Sequence, residues 1–157
     1  MLKILAWAGL IAVATIMFFQ NRSFKKVNTT GYGVVSLELA KKTKGETILR
    51  AWHDADSNLP VKANKMIKTD FFFLLFYSWV LFLLSNSLIY HEKSLLLNTL
   101  LRMNLLLAPL AGLLDITENI LMLYNINHYS QHYISSSLFA WLKFILAGWV
   151  VLVCLVS

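Results

Sequence analysis

Four stretches of this chain are too long and too apolar for the interior of a small soluble domain: Leu2–Phe19, Ile67–Leu88, Leu95–Tyr124 and Ile134–Val156. A helix needs about 20 apolar residues to cross roughly 30 Å of hydrocarbon. In lipid the backbone must satisfy its own hydrogen bonds, which a helix does internally. The expected fold is therefore all-α: a polytopic membrane protein, a four-transmembrane-helix bundle forming one membrane domain over residues 1–157, with a first loop at residues 20–66. Charged residues make up 14% of the chain, against about 25% in soluble domains. The third stretch is long enough to tilt or protrude, and Pro109 within it is an expected kink. Only Lys3 precedes the first apolar run and no small-x-small cleavage site follows it, so a retained helix is expected rather than a cleaved signal peptide. The single cysteine, Cys154, excludes an intrachain disulfide.

Charge sets the expected orientation. Ten of the fourteen Lys and Arg residues lie between the first two helices or at the edge of the second: Arg22, Lys25, Lys26, Lys41, Lys42, Lys44, Arg50, Lys62 and Lys65 in the loop, and Lys68 just inside the second stretch. Basic short loops stay in the cytoplasm. Both termini and the second loop, Ile89–Ser94, then face outward, and the third loop, Asn125–Tyr133, returns to the cytoplasm. The net charge of +6 thus reads as a topology signal and as attraction to anionic headgroups, not as a nucleic-acid surface.

The first loop carries its own pattern. Val34, Val35, Leu37, Leu39 and Ala40 surround Glu38, while Thr43 and Glu46 fit a capping box ahead of Ile48, Leu49 and Trp52 on one helical side. Two short amphipathic helices at the membrane surface are expected, then a turn over Asp54–Pro60. Asn21-Arg-Ser and Asn28-Thr-Thr match the glycosylation pattern, which a cytoplasmic placement makes a chance match, and Gly31-Tyr-Gly33 is too short to imply phosphate binding.

Ionisable residues inside the apolar stretches carry the functional signal. Each costs about 2.5–3.5 kcal/mol on insertion scales, so such groups face inward. Asp115, Glu118 and Asn119 are spaced i, i+3, i+4 on one face, extended by Asn104, Ala108, Ala111 and Met122. Leu106, Leu110, Leu113 and Ile120 lie opposite, towards lipid. Arg102 falls off the polar stripe and is expected to snorkel. On the fourth helix Lys143 shares a face with Ser136, Ala140, Ala147 and Cys154. Counting at 1.5 Å per residue from the third loop puts Glu118 and Lys143 at similar depth, roughly 10–14 Å. On the second helix Asp70 either caps the helix or joins the cluster, with Tyr77 two turns deeper, and Glu38 approaches from the first loop. Four carboxylates against one amine cannot all be ionised in a low dielectric. Some are protonated, or Arg50 folds in, or a cation or basic ligand occupies the site. The alternative is a structural ion pair joining the third and fourth helices. Arg50 and Trp52 are supporting candidates.

His128 and His132 are four apart, a weak metal-site candidate with no third ligand. The five tryptophans, Trp7, Trp52, Trp79, Trp141 and Trp149, read as interface or packing residues. No nucleophile elbow, phosphate loop, zinc motif or haem-attachment sequence is present, and no cofactor is indicated.

The order Ser-Leu-Glu38-Leu-Ala, Ile48-Leu-Arg-Ala-Trp52, Thr-Asp70-Phe-Phe-Phe with Tyr77, Leu-Leu-Asp115-Ile-Thr-Glu118-Asn119 and Lys143-Phe resembles a group of small bacterial four-helix membrane proteins of unassigned activity. The resemblance implies a fold and a bacterial inner membrane, not a reaction. Three functions remain open. One is binding or translocation of a proton, cation or small basic ligand. The second is an embedded enzyme acting on a lipid or isoprenoid, with Glu38, Asp70 or Glu118 as acid or base. The third is an accessory subunit of a larger membrane complex. Membrane lipids are the expected partners, and a homodimer fits a bundle this small.

Overall fold

The computed structural model describes residues 1–128 and 133–157. The chain forms six helices: α1 (Leu2–Val27), α2 (Val34–Glu38), α3 (Lys42–Ala55), α4 (Asn58–Ile89), α5 (Leu95–Asn127) and α6 (Ser137–Val156), with no strand among the described residues. Helices α1, α4, α5 and α6 are long and apolar enough to cross a membrane, which fits a multi-pass membrane protein built as a four-helix bundle. Their principal contacts run from α1 to α4, α4 to α5 and α5 to α6. Small residues let these backbones approach: a side chain at Gly9 would overlap the Phe76 ring, and one at Gly112 would meet the Ser78 hydroxyl.

Three of the helices are longer than their apolar runs. Helices α4 and α5 have 32 and 33 residues, about 48 Å at 1.5 Å per residue, well beyond a 30 Å hydrocarbon layer. The second span therefore begins at Asn58 rather than Ile67, and α1 continues to Val27 rather than ending at Phe19. Asp54–Pro60 is only partly a turn, because Pro60 stands in the first turn of α4, where its missing N–H is tolerated. Asp56 accepts hydrogen bonds from the backbone N–H of Asn58 at 2.8 Å and from its Nδ2 at 3.1 Å, which reverses the chain there. Helix α5 runs unbroken through Pro109.

The overshoot changes the role of the first loop. Helices α2 and α3 do form, and much of their apolar surface is turned into protein, while Val35 and Leu39 stay exposed. Leu37, Ala40, Ile48, Leu49 and Trp52 share one core with Phe24 of α1, Leu59, Ala63, Met66 and Ile67 of α4, and Met122 and Ile126 of α5. Protruding helix ends supply an apolar wall that the sequence pattern could not distinguish from lipid. Trp52, fully buried, donates its indole N–H to the Tyr32 carbonyl at 2.9 Å and packs edge-on against Phe24, with centroids 5.4 Å apart. The same carbonyl accepts from Asn28 Nδ2 at 2.6 Å, closing a turn that contains Gly31 at φ 76°. The expected capping box is absent: α3 is preceded by Lys41, without a side-chain cap, and Thr43 lies inside the helix.

Candidate functional site

Lys143 enters from α6 and is the centre of the site. Its Nζ lies 2.6 Å from Asp115 Oδ1, 2.7 Å from Glu118 Oε2 and 2.7 Å from Glu38 Oε1. Only the Asp115 contact also has hydrogen-bond direction. Lys143 and Asp115 are buried and Glu118 is fully so. The polar stripe of α5 is turned inward as its spacing required: Asn104, Ala108, Ala111, Asp115, Glu118, Asn119 and Met122 are all buried, while Leu106, Leu110, Leu113 and Ile120 are exposed. Two further groups complete the cluster from α4. The Tyr77 hydroxyl donates to Asp115 Oδ2 at 3.1 Å, and Asn119 Nδ2 donates to Asp70 Oδ2 at 2.8 Å. Asp70 is not a helix cap, since α4 starts three turns earlier behind Ser57.

Glu38 belongs to the shortest helix, so its position needs an external hold. The connection between α5 and α6 provides it. The Tyr133 hydroxyl donates to the carbonyls of Leu37 and Ala40 at 3.4 and 3.5 Å, Ser135 Oγ to that of Ala40 at 3.3 Å, and Ser136 Oγ to that of Glu38 at 3.5 Å. Gly45 of α3 makes room, because a Cβ there would overlap the Tyr133 ring. Asn125 pins the connection in turn, accepting from Ile134 N at 2.8 Å and donating to Ile134 O at 2.7 Å. Burial pushes the Tyr133 phenol up to about 12; the Ser136 hydroxyl opposes this and the Glu118 carboxylate adds to it.

Of the supporting candidates, Trp52 holds the α2–α3 cap and does not reach the cluster. Arg50 is exposed and makes no ion pair among the described residues, so it does not neutralise the carboxylates. Arg102, also exposed, donates from Nε to Asn98 at 3.0 Å, off the stripe. His128 ends α5, exposed and stacked on Tyr124, while His132 lies outside the described residues.

The charges do not balance. One ammonium faces three carboxylates at contact distance, a formal excess of two negative charges if all are ionised, and Asp70 raises it to three. Glu118 Oε1 is buried without a hydrogen-bond partner among the described residues. A buried excess of this size requires a proton or another positive group.

Beside the cluster lies a cavity of about 450 Å³. Glu38, Asp70, Tyr77, Asp115 and Lys143 form its polar end. The remaining wall is apolar: Trp7 and Leu10 from α1, Phe73, Val80 and Leu81 from α4, and Phe144, Ala147 and Val151 from α6. Trp7 and Phe144 are each 48% exposed, so the cleft opens sideways between α1 and α6, towards where lipid would lie. Sequence reasoning found the polar end and missed these walls. Their residue types are those of any lipid-facing helix, and only Trp7, as an aromatic, and Ala147, on the Lys143 face, stood out. No family model, curated protein or solved structure matches this chain.

Proposed function

We propose that this protein binds, within the membrane, an amphiphile whose polar end is an amine. One observation supports the reading above all: a laterally open apolar cleft ends at carboxylates that outnumber the single ammonium beside them. A cationic headgroup entering the cleft supplies the missing positive charge, and its N–H groups donate to Asp115, Glu38 and Asp70 in charge-assisted hydrogen bonds. The apolar walls take the hydrocarbon tail. A cavity of about 450 Å³ is in the range of small-molecule pockets, about 300–1,000 Å³. A bare proton or cation would satisfy the same charge excess but would leave the apolar walls without a use.

The test is calorimetric titration of the protein in lipid nanodiscs with hexadecylamine, hexadecanol and palmitate. The amine is expected to bind at least about tenfold more tightly than the alcohol, one charged hydrogen bond's worth, and Asp115→Asn to erase the difference. Palmitate binding tighter than the amine would instead make Lys143 the anchor for an anion and end the proposal.

The basic α1–α4 connection supports a cytoplasmic placement of α2 and α3 with both termini outward. The resemblance noted above supports a bacterial inner membrane. A phosphatase fused after Ser157 should then be active and a fluorescent protein there dark; the reverse pattern inverts the topology.

A further inference from the structure

A second cavity meets the first at the acidic residues. It measures about 430 Å³ and lies between α1, α2 and α4, with Glu38, Asp70 and Asn119 on its buried side and Asn21 and Lys25 on its exposed side. Phe18, Val34 and Val35 are among its apolar walls. An adjoining cavity of about 340 Å³ shares Phe18, Asn21 and Lys25 and adds Arg22 and Lys26. Lys25 therefore faces Glu38 and Asp70 across the second cavity, and Arg22 and Lys26 lie beside it along α1. The three cations are exposed, and among the described residues every ion pair belongs to Lys143, so none of them is neutralised by a carboxylate.

The spacing can be read from the helices. Gln20 Nε2 donates to Thr69 Oγ1 at 2.9 Å, which sets α1 and α4 level at those positions. The two helices are antiparallel, so Asp70, one residue past Thr69, and Lys25, five past Gln20, are six residues or about 9 Å apart along the axis. The flexible lysine stem shortens that further.

We propose that this second cavity binds the headgroup of an aminophospholipid. Its phosphate sits at Arg22, Lys25 and Lys26, its primary ammonium at Asp70 and Glu38, and the start of its acyl chains on Phe18, Val34 and Val35. Phosphate and ammonium joined by a short linker match both ends of the space. A purely anionic headgroup would place negative charge, or nothing, against Asp70 and Glu38. A choline headgroup has no N–H to donate to them. This site does not rest on the amine-amphiphile reading of the lateral cleft, although the two share Glu38 and Asp70.

Native mass spectrometry of the detergent-purified protein tests it, with equal amounts of dioleoyl phosphatidylethanolamine, phosphatidylcholine and phosphatidylglycerol added. The ethanolamine lipid is expected to be retained about tenfold over the choline lipid, a difference of one charged hydrogen bond. Lys25→Gln combined with Arg22→Gln should abolish that retention, Lys25→Arg alone should keep it, and Asp70→Asn should remove the preference over choline. Arg102→Gln, at an exposed cation that lines neither cavity, should leave the preference intact. Because Lys25 and Arg22 are exposed, their variants remain informative if Asp70→Asn does not fold. Preferred retention of phosphatidylglycerol would reduce the site to surface attraction for anionic lipid, and equal retention of the ethanolamine and choline lipids would remove the ammonium from it. Either result overturns the proposal.

Discussion

Lys143→Met removes the positive charge at the centre of the cluster while keeping a long unbranched side chain. Contacts of 2.6–2.7 Å to three carboxylates are each about 6 kcal/mol of Coulomb attraction at an effective dielectric constant near 20. Three oxygens arranged tetrahedrally around one nitrogen at that distance are about 4.4 Å apart, so each ionised pair repels by about 4 kcal/mol. With the ammonium present, attraction exceeds repulsion; without it only repulsion remains. Protonation of the carboxyls relieves most of that strain, which leaves a net cost in the range for breaking a buried ion pair, about 3–5 kcal/mol. At about 2–4 °C per kcal/mol for a chain this size, thermal unfolding in detergent should shift down by roughly 10 °C. Adding Glu118→Gln to Lys143→Met should recover part of the loss, because one of the three repelling charges is gone. An unfolding temperature within about 2 °C of the parent for Lys143→Met would refute the account of the cluster as a charge-coupled unit.

Three further outcomes follow from the same contacts. Trp52→Ala should cost about 3–5 kcal/mol, as for other buried large-to-small changes; it should also expose the Lys41–Lys44 segment to trypsin, whereas Trp141→Ala, on an exposed side chain, should do neither. Gly45→Val should unseat Tyr133 and with it Glu38, lowering both stability and amine binding in the titration above, whereas Gly148→Val, with open space around the new Cβ, should change neither. Because the Tyr133 phenol is raised from 10.0 to about 12, its contribution to stability is complete below pH 10 and is lost as pH rises through 12; the decline of denaturation midpoint over that window should be shallower in Tyr133→Phe.

Much of the site was legible in the sequence because membrane burial leaves few options for a charged residue. The i, i+3, i+4 spacing of Asp115, Glu118 and Asn119 fixed a face, and counting residues from the α5–α6 connection placed Lys143 at their depth. Helix extents were less legible. Lys62, Lys65 and Lys68 in α4, like Arg22, Lys25 and Lys26 in α1, make a protruding helical turn look like loop, since hydropathy marks where lipid ends and not where the helix does. The same limit hid the destination of α2 and α3: an apolar helical face is identical whether it meets acyl chains or the protruding ends of α1, α4 and α5. The hold on Glu38 could not be read at all, because Tyr133, Ser135 and Ser136 act through backbone carbonyls and leave no pattern of complementary side chains.

The location of the bound amphiphile tests the central claim most directly. A hexadecylamine carrying a diazirine at mid-chain, photolysed on the protein in nanodiscs and mapped by peptide sequencing, should label Leu10, Phe73, Leu81, Phe144 and Val151 around the cleft, and Asp115→Asn should remove that labelling. Adducts confined to Leu106, Leu113 and Ile120, on the exposed face of α5, would contradict it.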